Sequence, residues 1–185
     1  FRTAHESIEG IGEAFSADTD SRTRAFLKIQ DGCDYKCSFC TIPLARGRSR
    51  SLPLERVIEN ARRLIDAGYK EIVLTGVNTG DYDFEYKGLI DVMLNLDKLN
   101  IPRIRVSSIE PNLITDDIIE LVASSNKFCK HFHIPLQSGD PDILRSMRRR
   151  YGTEQYSELI SKINSRIPEA GIGVDVITGF PGETE

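Results

Sequence analysis

No apolar run in this 185-residue chain approaches the ~20 residues that a membrane-spanning helix needs, so no helical membrane anchor is expected. The opening residues, Phe1-Arg-Thr-Ala-His5, carry neither an initiator methionine nor the pattern of a secretion signal. The paired C-x2-C and C-x2-H halves of a zinc finger are missing as well. A net charge of −4 excludes a surface that binds nucleic acid non-specifically all over, although a local basic patch remains compatible with it. Only four cysteines are present, and they are not spread as a disulfide framework. Clustered, unpaired thiols suit a reducing cytoplasm, which is the expected location. With 39% hydrophobic and 28% charged residues, the composition is that of an ordinary soluble globular protein. The length suffices for one domain with a sizeable core but is short for a complete α/β barrel enzyme.

Three of the four cysteines fall within eight residues, Cys33-Asp-Tyr-Lys-Cys37-Ser-Phe-Cys40, a C-x3-C-x2-C spacing. Three thiolates on one loop can ligate three irons of a cubane cluster and leave the fourth iron without a protein ligand. An open coordination position is where a metal does chemistry. Both common ferredoxin spacings differ, because they supply four cysteines per cluster. The plainer alternatives are a bound zinc or a cysteine loop with no metal. Cys129 stands alone and reads as a small buried hydrophobe; as a fourth ligand it would close the catalytic iron.

Around this loop, strands alternate with helices. Ala25 to Gln30 is a candidate first strand that ends just before the cysteines. Leu54, Val57, Ile58, Ala61, Leu64 and Ile65 recur at helical spacing, with Pro53 in the first turn and Gly68 at the stop. Glu71–Thr75, Arg103–Ser107, Lys130–Pro135 and Gly173–Thr178 are the next four strands. Helices are expected from Leu89 to Leu99, after Thr115 as N-cap, from Asp140 through Met147, and from Thr153 through Ile167. This alternation specifies βα units and a parallel sheet, leaving an open doubly wound sheet and a barrel both possible. Residues 1–24, polar and without a hydrophobic period, read as a linker ahead of a domain spanning 25–185. Both ends look cut, so an excised central domain is expected, incomplete at its C-terminus.

In parallel α/β folds, ligands gather at the carboxyl ends of the strands, and polar or small residues mark each such end here. They are Gly76 and Asn78 after the second strand, Ser108 and Glu110 after the third, and Gln137 and Ser138 after the fourth. A glycine permits close approach of a ligand, and Glu110 can accept the hydroxyls of a ribose. His131 and His133, two apart on a strand, share a face, but no third ligand is evident and they read as barrel-lining residues. Asp175 shares its strand face with Ile177 and would need a partner if buried.

The cysteine loop, with Phe39 as its aromatic, resembles the C-x3-C-x-aromatic-C signature of the radical S-adenosylmethionine (SAM) enzymes. That resemblance implies a 4Fe–4S cluster on Cys33, Cys37 and Cys40, with Phe39 beside it, and SAM bound at the open iron. It also implies a partial (β/α)6 barrel of which five strands lie in this chain and the sixth beyond Glu185. Gly76 and Asn78 would then meet the amino group of SAM, and Ser108, Glu110, Gln137 and Ser138 would line the cofactor site. The family form Met-x-Arg-x-Tyr selects Arg149, with Arg148 and Arg150 its neighbours, to pair with the SAM carboxylate. Ile177 would cover the adenine.

Taken together, Asp31-Gly-Cys33, Ile42-Pro43 through Ser51, Leu74-Thr-Gly76-Val-Asn78, His133-Ile-Pro-Leu-Gln137-Ser-Gly139 and Gly179-Phe-Pro-Gly-Glu-Thr184 resemble the methylthiotransferases. These enzymes replace C–H by C–S–CH3, in the tRNA cases at carbon 2 of a modified adenosine beside the anticodon. The resemblance implies a second 4Fe–4S cluster in the full-length protein but not in this chain, tRNA as partner, and a one-electron reductant protein. Leu74 through Gly80 and Val106 through Pro111 are most similar to the threonylcarbamoyladenosine branch. Isopentenyladenosine, a ribosomal-protein aspartate and another radical SAM chemistry are the alternatives. A different class, an RNA-binding module with a structural metal, would rest on Arg46, Arg48 and Arg50, the expected RNA contacts in either case, and on the arginines near Tyr151. An unpaired edge after the fifth strand would favour self-association.

Overall fold

The computed structural model describes residues 23–184, so the linker reading of the first 22 residues lies outside the described residues. The elements run in chain order as β1 (Ala25–Lys28), β2 (Gln30–Asp31), α1 (Ile42–Arg46), β3 (Arg50–Ser51), α2 (Leu54–Asp66) and β4 (Glu71–Thr75). They continue as β5 (Asp83–Phe84), β6 (Lys87–Gly88), α3 (Leu89–Asp97), β7 (Arg103–Val106), α4 (Asp116–Ser124) and β8 (His131–His133). The last are α5 (Pro141–Ser146), α6 (Thr153–Arg166) and β9 (Gly171–Gly173).

Strands β1, β4 and β7 form a parallel sheet in that order, in register Leu27↔Leu74 and Leu74↔Val106. Strands β8 and β9 form a second parallel pair. Isolated parallel bridges Ile104↔Phe128 and Ser108↔His133 join β7 to the β8 segment. Strand order therefore follows chain order without a reversal. The helices obey the same sequence, α2 packing on α3, α3 on α4, and α4 on α6. One continuous helical layer over strands in chain order is the winding of a barrel sector, whereas a doubly wound sheet reverses at a switch point. The fold is α/β, a partial barrel, as the resemblance to the radical SAM enzymes implied.

Alternation along the strands separates two faces. Ala25, Leu27, Ile72, Leu74, Ile104, Val106 and Phe132 are buried in the apolar core beneath the helices. On the intervening, concave face Val73 is buried, while Phe26, Lys28, Thr75, Arg105, Ser107, His131 and His133 are only partly buried. A closed barrel usually packs that face with branched apolar residues; here Phe26 and Val73 share it with charged and polar residues.

Three strands differ from expectation, the fourth, expected over Lys130–Pro135, being limited to His131–His133. The first strand ends at Lys28, because β4 ends at its partner Thr75; Gln30 and Asp31 then pair antiparallel with Ser51 and Arg50. The fifth strand begins earlier, at Gly171, and its regular ladder stops at Gly173. Pro135 has no N–H to give the adjoining ladder, so residues 174–177 follow the β8 extension more loosely. Gln137 N–H donates to Asp175 O at 2.9 Å and Ile177 N–H to Gln137 O at 2.8 Å. Pro53 occupies the N-cap of α2, one residue ahead of the predicted first turn, and Gly68 ends that helix region with φ +90°. Thr115 caps α4 with its side chain, as predicted, and Asp140, expected as the first residue of the next helix, is instead the side-chain N-cap of α5.

Candidate functional site

The cysteine loop leaves the sheet at the carboxyl end of β1, and a single side chain fixes its departure. Gln30 is fully buried. Its amide nitrogen donates to Gly32 O (2.7 Å) and Ser49 Oγ (2.9 Å), and its amide oxygen accepts from the N–H groups of Val77 and Asn78, both at 2.9 Å. Gln30 thus ties the start of the cysteine loop to the loop after β4. Gly76 owes its identity to the same contact, since a Cβ there would lie 2.9 Å from Gln30 Oε1. The sequence singled out Gly76 for ligand approach; the group that approaches it here is Gln30, which sequence reasoning missed. A lone amide at the end of an otherwise apolar strand was the available signal.

Asp31, next along, is a charge hub. It pairs with Lys28 (2.6 Å), Arg50 (3.4 Å) and Arg46 (3.6 Å), and accepts the Gly32 N–H at 2.8 Å. Burial alone would raise its pKa, but the Lys28 hydrogen bond, the Gly32 N–H and the nearby cations outweigh it and hold the carboxyl below its ordinary value. Two of the three arginines expected to contact RNA are therefore engaged with Asp31. Arg50 also donates to Arg46 O and Arg48 O. Arg48 is almost fully exposed, paired at 3.4 Å with exposed Asp34. It is the one of the three most open to solvent.

Gly32 allows the chain to turn at φ +72°, and a Cβ there would stand 2.0 Å from Arg48 O. Backbone faces it on that side, so no side-chain rotation relieves the overlap. Gly32→Ala is expected to destabilise the protein by on the order of 3 kcal/mol and to open the loop around Cys33. Urea unfolding, with limited proteolysis between Cys33 and Arg48, would check it; an unchanged midpoint would show that the loop tolerates another path.

Farther along, Ser38 anchors the loop to the end of α5, donating from its N–H to Met147 O (3.1 Å) and from its hydroxyl to Ser146 O (2.9 Å). Cys33, Cys37 and Cys40 are free thiols, each partly exposed. Cys33 Sγ accepts the Tyr35 N–H at 3.4 Å. Burial pushes the Cys33 thiol up, the Tyr35 N–H opposes this, and Asp81, Cys37 and Cys40 reinforce it. A bound cation inverts that balance and favours the thiolates. Among the described residues, no three Cys, His, Asp or Glu side chains converge as a metal group. The chemistry of the donor set nevertheless fits an iron–sulfur cluster: three unpaired thiols on one anchored loop, without a fourth. Phe39 lies beside them, 38% exposed.

Arg149 reaches this loop from behind α5. Its Nη1 donates to Cys37 Sγ at 3.1 Å, its Nη2 pairs with Glu110 Oε2, and its side chain is 4% exposed. Burial would lower the guanidinium pKa, but the Glu110 hydrogen bond and charge reverse this and raise it. Arg150 instead stacks on the Tyr35 ring, 3.7 Å from its centroid, and Arg148 takes φ +59°. Arg149 is thus the arginine of the triplet that reaches the cysteines. Its Nε is buried without a partner, as are both polar atoms of the Asn78 side chain. Buried polar groups are normally satisfied, so these orphans at the sequence-predicted positions are compatible with a polar ligand.

The other predicted residues distribute unevenly. Ser108 Oγ lies 2.7 Å from His133 Nδ1, on the concave side. Gln137, with φ +65°, bridges the β8 extension to Asp175 and Ile177 through its backbone, and Ile177 is partly buried. Ser138 is buried, and its hydroxyl accepts the Asp140 N–H at 3.1 Å, a local turn contact. Cys129 lies at the opposite, amino-terminal end of the strands, 3.7 Å from Arg103 Nη2.

A parallel barrel sector with a three-cysteine loop after its first strand defines a class, and the sequence profile of the radical SAM superfamily matches residues 27–185. The chain belongs to the radical SAM superfamily. Over its whole length it is 48% identical to the threonylcarbamoyladenosine tRNA methylthiotransferase MtaB of Bacillus subtilis, spanning 44% of that protein. It is 37% identical, over 95% of its length, to the tRNA-2-methylthio-N(6)-dimethylallyladenosine synthase of Carboxydothermus hydrogenoformans, covering 41% of it. The chain thus spans less than half the length of these curated relatives. Among solved structures, the radical SAM methyltransferase TsrM of Kitasatospora setae superposes with TM-score 0.70 at 19% identity, over 86% of this chain and 32% of TsrM. That likeness concerns the fold. No helix among the described residues is long and apolar enough to cross a membrane.

Proposed function

We propose that this chain is the SAM-cleaving domain of a cytoplasmic tRNA methylthiotransferase acting on threonylcarbamoyladenosine next to the anticodon. The observation that carries the enzymatic part is the anchored three-thiol loop with Arg149 against Cys37. The substrate part is supported by the higher identity to the threonylcarbamoyladenosine enzyme, 48% against 37% for the dimethylallyladenosine enzyme. A 4Fe–4S cluster held by Cys33, Cys37 and Cys40 would supply one-electron reductive cleavage of SAM. Around it, the chain's own residues bind and orient. Arg149 offers a cation to a carboxylate, Asn78 offers a buried amide to a polar group, and the Gln30 clamp holds the two loops at one spacing. Glu110 neutralises Arg149 until a ligand carboxylate competes for it. Arg48 gives phosphate a partner at the rim, tRNA being the partner in this reading, with a second 4Fe–4S cluster and a reductant protein completing the full-length enzyme.

The test is anaerobic reconstitution with iron and sulfide, followed by SAM and a reductant. Release of 5′-deoxyadenosine is expected. Its absence from a protein with a full iron–sulfur complement would sink the enzymatic reading and favour a metal-stabilised RNA module. Product analysis of tRNA treated with the full-length protein would then decide the substrate by the mass of the modified nucleoside.

A further inference from the structure

Two bridges seat the cysteine loop, and only one of them uses groups that the chemistry would claim. The first runs from Glu110 through Arg149 to Cys37 Sγ. The second lies beside it and centres on Tyr35, midway between Cys33 and Cys37. Tyr35 is 4% exposed, although Asp34 and Lys36 on either side of it are exposed. The Arg150 guanidinium lies over its ring, 3.7 Å from the centroid, where a cation is attracted to the ring face. The Tyr35 hydroxyl accepts from Asn112 Nδ2 at 2.9 Å, and the Tyr35 N–H donates to Cys33 Sγ at 3.4 Å. Arg150 directly follows Arg149, and Asn112 stands two residues after Glu110, in the turn Pro111–Leu113. Both bridges therefore join the same three segments: the cysteine loop, the turn after β7 and the segment after α5. They differ in chemistry. Cys37 and Arg149 are groups that a metal and a carboxylate ligand would take up, whereas a phenol ring, an amide and a stacked guanidinium remain with one another.

We propose that Tyr35 is a positioning residue for the cluster ligands: held by Arg150 and Asn112, it keeps the Cys33–Cys37 segment seated when Arg149 turns to other partners. This role rests on the cluster reading above and goes beyond it, since it gives Arg150 a task distinct from that of Arg149. Arg149 cannot hold the loop through Glu110 and Cys37 and also offer its whole fork to a ligand. The Tyr35 bridge removes that conflict. Arg150 and Asn112 are both exposed, and substitutions at exposed positions usually change stability little. Here each acts on one loop through one buried ring.

The test is brief anaerobic alkylation of the cluster-free protein with iodoacetamide, read thiol by thiol by mass spectrometry. Arg150→Ala and Asn112→Ala should each speed alkylation of Cys33 and Cys37 by about two- to tenfold, as loss of one cation–π contact or one neutral hydrogen bond allows. Cys129, beside Arg103 at the other end of the strands, is the internal control and should keep its rate. Tyr35→Phe, which retains the stack but not the acceptor, should cancel the effect of Asn112→Ala and preserve that of Arg150→Ala. In a Tyr35→Ala background neither should have a further effect. In reconstituted protein with SAM bound, Arg150→Ala should release iron to a chelator faster by a similar factor. Unchanged rates at Cys33 and Cys37, or unchanged iron release, would overturn the proposal. So would an equal rise at Cys129, the mark of general loosening, or an effect of Arg150→Ala that persists undiminished without the Tyr35 ring. Failure of the cluster reading shows separately, as unsubstituted protein that takes up no iron.

Discussion

Replacing Cys33, Cys37 or Cys40 by alanine, one at a time, is expected to abolish iron–sulfur absorbance and SAM cleavage, while Cys129→Ala spares both. The three share one loop at the carboxyl end of β1 as partly exposed free thiols, and no group of three Cys, His, Asp or Glu side chains converges elsewhere among the described residues. Cys129 precedes β8, at the amino-terminal end of the parallel strands, where its sulfur faces Arg103 and its N–H donates to Ile104 O at 2.9 Å. The length of the strands separates it from the loop. Metal binding to thiols is coupled to ordering of the segment that carries them. The cluster-free protein should therefore be cut by protease more readily between Cys33 and Cys40 than the reconstituted one. Loss of the cluster in Cys129→Ala alone would show that the ligand set is wrong.

Much of the frame was legible in the sequence because it rests on local pattern. Glu71–Thr75 is a strand with the predicted bounds, since four of its five residues are β-branched or large and apolar. The helix beginning at Leu54 follows from an apolar stripe at helical spacing, which survives in the buried set Leu54, Val57, Ala61 and Leu64. The fifth strand was misplaced because Val174 and Val176 resemble strand residues, whereas the ladder is made by Gly171–Gly173, where Ile172 is the one apolar side chain between two glycines. Both valines are in fact exposed. Short antiparallel pairs such as β2 with β3 were invisible because two residues have no period.

The site was legible as a set of residues but not as a set of contacts. The family form Met-x-Arg-x-Tyr marks Arg149 and the end of the third strand marks Glu110, yet nothing in a one-dimensional pattern says that they meet across 39 positions. Gln30 escaped for the same reason, since the N–H groups its amide oxygen accepts are 47 and 48 residues away. Asp175 was noted as needing a partner if buried; it has His133 as partner while remaining exposed. Long-range polar pairing is decided by the fold, after apolar pattern has decided the elements.

Arg149→Ala should have two effects that can be measured apart. The Arg149 side chain is 4% exposed and Glu110 16%, so removing the guanidinium leaves a largely desolvated carboxylate with no cation. Breaking a buried pair from one side costs about 3–5 kcal/mol, which should appear as a lower denaturant midpoint without SAM present. Glu110→Gln added to Arg149→Ala should recover part of that loss, because the orphaned charge is gone. Arg149→Lys should recover less than its charge suggests, since an ammonium lacks the fork that reaches Glu110 and Cys37 together. The second effect is on the cofactor. In reconstituted protein, Arg149→Ala should retain its iron and bind SAM more weakly by roughly 1.5–3 kcal/mol, the range for a hydrogen bond to a charged group. The Glu110→Gln addition should not restore that affinity, as it supplies no cation for a carboxylate. Full recovery of SAM binding in the double variant would mean that Arg149 acts only by neutralising Glu110, and the carboxylate-binding role would have to move to another residue.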